Sequence, residues 1–223
     1  MAHDVLHEIG HQQVPRLRGA LHAGAFPVAI AAGAVLVALA PTPTARLAAA
    51  VYAVTSTLLF GVSAAYHRAR CSPRLRDLLH RCDHANIYLI IAGTYTPVAL
   101  LALHGNVRVV LLAVIWAGAA AGAVFRACWL RAPRWLYTSL YIGLGWAAIF
   151  FLPQIARGAG ATALILMLAG GILYSLGGIV YGLRRPDPFP GWFGFHEVFH
   201  AFTIAAYIAQ YAAVSVVTYR IAG

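Results

Sequence analysis

The chain has 223 residues, of which 61% are hydrophobic and 10% charged, with a formal net charge of +10. That composition is too apolar for a soluble globular domain. All sixteen cationic side chains are arginines spread over short segments, which argues against a nucleic-acid-binding surface.

In chain order, the sequence predicts an all-α protein, a seven-transmembrane helix bundle at 21–220 behind a polar tail at 1–20. The tail stays polar through Arg18, so no cleavable signal peptide is expected. The first span is placed at 21–40 and is closed by Pro41 and Pro43. The second, at 47–66, ends on His67, with Ser63 one turn before it. A long arginine-rich loop at 67–84 carries Pro73, Cys71 and Cys82, and Asp83 opens the third span at 85–103. The fourth is placed at 107–125 and the fifth at 135–152, stopped by Pro153. The sixth is placed at 159–183, followed by a stiff loop containing Pro186, Pro188, Pro190 and Gly191. The seventh, at 197–219, begins beside His196. Pro27 and Pro97 are expected to kink or loosen their helices. The spacings Gly118-x-x-x-Gly122 and Gly178-x-x-x-Gly182 read as close packing within one bundle.

Arginines fix the predicted orientation. Arg16, Arg18, Arg68, Arg70, Arg74, Arg76, Arg81, Arg126, Arg131, Arg134, Arg184 and Arg185 fall on one side, and Arg46, Arg108, Arg157 and Arg220 on the other. The positive-inside rule then puts the N-terminus in the cytoplasm and the C-terminus outside, in a plasma (bacterial inner) membrane. The basic collar should attract anionic headgroups at the cytoplasmic face. Cys71, Cys82 and Cys128 lie on that reducing side and are expected to be free thiols.

Topology brings four ionisable residues to that same end: His67, Asp83, His196 and His200. Ionisable groups at membrane depth are costly and mark functional sites. His196 and His200, four apart, share a helical face roughly 6 Å apart along the axis. Two such imidazoles with His67 form the three-nitrogen, open-position pattern of catalytic zinc. Asp83 is then placed to orient a metal-bound water or act as general base, with Ser63 reaching the same space. His84 points roughly 100° away from Asp83, toward headgroups or a neighbouring helix. His80, in the loop, and His22 and His104, near helix ends, read as ordinary polar residues.

HEVFH also matches H-E-x-x-H, with Glu197 as a second candidate base. The pattern is short, and His7-Glu8-Ile9-Gly10-His11 repeats it in the polar tail. Thr94, Tyr95, Tyr207 and Gln210 are polar groups deeper in the third and seventh spans, suited to packing between helices or to lining an acyl pocket.

Ser63-x-x-x-His67, DHANIYLIIAGTYTP from Asp83, HEVFHAF from His196 and PRLRGALHAG before the first helix resemble the hemolysin III family, the bacterial branch of the progestin and adipoQ receptor superfamily. The resemblance spans nearly the whole chain. It implies seven helices with a cytoplasmic N-terminus. It also implies zinc on His67, His196 and His200, with Asp83 touching the metal-bound water and Ser63 nearby. Adiponectin receptors are similar to this core and are associated with ceramidase activity; they carry a larger N-terminal domain. Glu197, where glutamine stands elsewhere in the superfamily, is typical of the bacterial branch.

The resulting expectation is a zinc-dependent hydrolase of a lipid amide or ester. The alternatives are a non-enzymatic sensor of membrane lipid with structural zinc, and a hemolysin-type pore former. No helix carries the continuous polar stripe that a pore would need.

Overall fold

A computed structural model of the chain describes residues 15–220, and among them the regular structure is helical. Seven helices are long and apolar enough to cross a membrane: α1 (Ala20–Ala38), α2 (Pro43–Arg68), α3 (Pro73–Ala102), α4 (Gly105–Cys128), α5 (Arg134–Ala159), α6 (Ala161–Leu183) and α7 (Phe195–Tyr219). Sequential neighbours pack in pairs from α1 to α4, α6 packs on α5 and α7, and α7 closes the ring against α1. Helix α3 also packs on α7 and α5 and has 67% of its spanning stretch buried, against 22% for α1 and for α4. It is therefore the central strut, with most of its spanning stretch turned toward other helices.

Two helix starts follow from local chemistry. Thr42 Oγ1 accepts from Ala45 N at 3.1 Å, with Pro43 behind it, and Ser72 Oγ accepts from Leu75 N at 3.4 Å, with Pro73 behind it. A hydroxyl N-cap followed by proline satisfies one orphan donor and removes another.

The second cap corrects the expected boundary of the third span. The segment predicted as a loop at 67–84 is mostly helix, because Ser72-Pro73 starts α3 ten residues before Asp83. Those extra turns extend α3 by roughly 15 Å. Asp83 thus sits on the wall of α3 rather than at its start. Arg126, expected in the next loop, is buried as a C-terminal clamp. It donates to the carbonyls of Trp129 (3.0 Å) and Leu130 (3.2 Å) and lies over Tyr137, 4.3 Å from its centroid.

The fifth span also departs from expectation. It runs to Ala159 through Pro153, which occupies the first turn of a new helical segment instead of stopping the span. The helix breaks at Gly145–Trp146 into a short 3-10 turn, Ala147–Phe151. Tyr95 of α3 satisfies the broken backbone: its hydroxyl donates to Gly145 O at 2.6 Å and accepts from Ala148 N at 3.0 Å. Irregular backbone at membrane depth requires such internal partners. Helices α1 and α3 run unbroken through Pro27 and Pro97. Gly118 and Gly122 abut Leu144 and Tyr88, and Gly178 abuts Thr138 and Ile142, so these small residues serve packing inside the bundle.

Candidate metal centre

The start of α7 is fixed by two carboxylates. Asp187 Oδ1 accepts from Phe195 N at 2.8 Å and Glu197 Oε2 accepts from Gly194 N at 2.9 Å. These bonds anchor the turn that carries His196 and His200, and negative groups there suit the positive end of the helix. His67 reaches them from the last turn of α2. Its Nε2 lies 3.1 Å from His196 Nε2, and one ring nitrogen from each of His67, His196 and His200 lies within 4.8 Å of the others.

Two nitrogens on one tetrahedral zinc stand roughly 3.3 Å apart. The close His67–His196 approach matches that separation. His200 also carries a buried Nδ1 without a hydrogen-bond partner. The three imidazoles fit a divalent metal ion. The spatial convergence expected of His67, His196 and His200 is thus present.

Asp83 and Ser63 share a cavity of about 510 Å³ with these rings. Asp83 lies beside Ser63, whose buried Oγ shares a 2.8 Å hydrogen bond with His22 Nδ1. The His22 ring in turn stacks on His200, with centroids 3.6 Å apart and planes 12° apart. The expectation that His22 is an ordinary helix-end residue is therefore corrected: α1 packs against both α2 and α7, so its first turn lies against the cluster. Gly19 makes this approach sterically feasible. It has φ +72, and a Cβ there would stand 2.5 Å from His67 Cβ. The signal was present in PRLRGALHAG, but spacing alone gave it no role.

Glu197 is not aimed at the cluster. It is fully buried, caps α7, and its Oε1 pairs with Arg18 Nε at 3.0 Å. The reading of Glu197 as a second base is corrected accordingly: on a helix, the residue next to His196 faces another side. The tail copy of H-E-x-x-H lies outside the described residues. His84 is buried against α5, edge-on to Tyr137, and its Nδ1 lies 3.0 Å from His80 O; it lines the cavity but is not among the clustered nitrogens.

Deeper in, Leu59, Ile87, Ile90, Ile91 and Ile142 make the cavity wall apolar, and Thr94, Tyr95 and Gln210 also line it. Their polar atoms serve packing: Thr94 Oγ1 donates to Ile90 O and Gln210 Nε2 to Met167 O. Tyr207 packs against Phe60 and Tyr52.

Comparison with known proteins agrees with this architecture. The family profile described as Haemolysin-III related matches residues 11–211. The chain is 36% identical over 163 residues to Hemolysin-3 of Bacillus cereus, covering 73% of this chain and 71% of the relative. It is 31% identical over 161 residues to the Hemolysin-3 homolog of Bacillus subtilis (strain 168), covering 72% of each. The Adiponectin receptor protein of Drosophila melanogaster is more distant, 28% identical over 184 residues, which are 73% of this chain and 40% of the relative.

Proposed function

The chain belongs to the haemolysin-III-related family of multi-pass membrane proteins, and from that premise we propose that it is a zinc-dependent hydrolase of a lipid amide or ester. The supporting observation is the meeting of three imidazoles and Asp83 in one largely apolar cavity within the bundle. A metal hydrolase needs open coordination, a nearby base and room for substrate, and these residues can supply all three.

In this reading His67, His196 and His200 would hold the ion. Zinc bound there would supply Lewis acidity toward a carbonyl and would make water a competent nucleophile near neutral pH. Asp83 accepts the proton of the attacking water and later returns it to the leaving group. Ser63, hydrogen-bonded to His22, keeps the carboxylate oriented. The apolar walls exclude bulk water and accept an acyl chain; about 510 Å³ is within the ordinary range of small-molecule sites.

Metal content and acyl-lipid hydrolysis, measured on purified wild type and Asp83→Asn, test the proposal. The variant should keep its metal and lose turnover by about 10²- to 10⁴-fold. Turnover unchanged in Asp83→Asn removes the assigned base. Full metal loading with no hydrolysis of any lipid amide or ester removes the enzyme and favours a lipid-responsive regulator. A metal-independent conductance in liposomes would favour a pore.

A further inference from the structure

Among the basic residues at the histidine end of the bundle, three border the central cavity, Arg18 and Arg134 half-buried and Arg76 exposed at its edge. Arg18 ahead of α1, Arg76 on the extended start of α3 and Arg134 at the start of α5 all line the cavity that holds the imidazole cluster. Arg68, Arg70, Arg74, Arg131, Arg184 and Arg185 are exposed and line no part of it. Simple attraction of the collar to the surrounding headgroups accounts for the set away from the cavity but not for the three at its border.

The bordering arginines approach from two sides. Arg18 and Arg76 stand within electrostatic reach of His67 and Tyr66. Arg134 stands on the other side, its guanidinium 5.3 Å from the Tyr181 centroid and 5.8 Å from that of Phe195, with a buried nitrogen that has no hydrogen-bond partner. Asp83 is the one carboxylate among the described residues lining the cavity, and Glu197, beneath the rim, is engaged by Arg18. The charge is therefore positive even before a cation occupies the histidines. An anionic ligand would balance it.

We propose that this rim is a headgroup site, and that the amphiphile entering the cavity carries a phosphate. The assignment rests on the lipid-hydrolase reading and narrows its substrate class to acyl lipids with a phosphate headgroup. Guanidinium groups arriving from three elements match a tetrahedral anion with several acceptor oxygens better than a planar carboxylate. The phosphate would sit among Arg18, Arg76 and Arg134, leaving the acyl carbonyl toward the histidines and the chain toward Ile87, Ile90 and Ile142.

The test is a paired-probe measurement by native mass spectrometry on the full-length protein in a neutral maltoside detergent. Lysophosphatidic acid and the monoacylglycerol of the same chain differ only by the phosphate. Wild type should bind the phosphorylated probe about tenfold more tightly, in line with one or two charge-assisted hydrogen bonds. The preference should vanish in Arg76→Gln/Arg134→Gln and persist in the collar control Arg70→Gln/Arg185→Gln. If the double variant does not fold, Arg76→Gln alone, at an exposed position, should lower the preference about threefold.

Equal binding of both probes by wild type overturns the proposal, as does an equal loss in the collar control or no change in Arg76→Gln. Displacement of lysophosphatidic acid by an equal concentration of inorganic phosphate would instead identify a free-phosphate site and overturn the lipid assignment. Neither probe needs to be hydrolysed. Phosphate preference without turnover would therefore sink the enzyme alone, and turnover of neutral lipids without preference would sink this site alone.

Discussion

The imidazole of His22 lies flat on that of His200, centroids 3.6 Å apart, while its Nδ1 holds Ser63 Oγ at 2.8 Å. One side chain thus links a candidate ligand to the hydroxyl beside Asp83. Replacing it should loosen the metal site without removing a ligand. His22→Ala is expected to lower metal affinity by about 10- to 100-fold, the usual consequence of losing an outer partner. His22→Phe should recover much of that affinity by preserving the stack. It should leave Asp83-dependent turnover impaired, because Ser63 loses its partner. Metal titration of both variants separates the two roles.

Glu197 offers a sharp contrast. Glu197→Gln keeps an acceptor for Gly194 N but neutralises the pair with Arg18, so thermal stability should fall, by about 1–3 kcal/mol. Glu197→Ala, which also loses the cap, should be worse. Turnover per folded, metal-loaded molecule should stay within about tenfold of wild type in Glu197→Gln, whereas loss of a general base costs about 10²- to 10⁴-fold. A loss of that larger size with metal retained would restore Glu197 as the base.

Metal removal should be felt across the bundle, since His67 belongs to α2 and both other imidazoles to α7. Chelation should lower the melting temperature, and readdition of zinc should restore it in proportion to occupancy. Imidazoles bind metal only when unprotonated. At fixed free zinc, occupancy should therefore be lost progressively as pH is lowered from 8, because protons compete with the ion for the three imidazoles. A melting temperature indifferent to chelator in a metal-containing preparation would show that the ion does not tie these helices together.

Cys128 closes α4 at the histidine end of the bundle and is exposed. If the arginine-rich side is cytoplasmic, a membrane-impermeant maleimide should label Cys128 in inverted vesicles and leave it untouched in intact cells. Labelling from outside would reverse the orientation, and with it the leaflet to which the cavity mouth belongs.

Composition and hydrophobic run length by themselves determined that the chain is a seven-helix membrane bundle, because burying backbone in hydrocarbon leaves little choice but helices. Alternating direction between short loops was enough to bring His67, Asp83, His196 and His200 to one end. Boundaries were harder: Ser72-Pro73 is a legible cap, yet the arginines behind it disguised about three turns of helix as a loop. What only the tertiary structure decided was which polar residues face one another across non-sequential helices. His22 and Glu197 look interchangeable with other helix-end polar groups until α1 is seated against α2 and α7. One then lies on the cluster and the other turns away to cap α7. The same holds for Arg18, Arg76 and Arg134, which composition cannot separate from the rest of the collar. Periodicity fixes the face a residue occupies on its own helix; rotation of each helix against its neighbours, set by packing of side chains distant in sequence, fixes what that face meets.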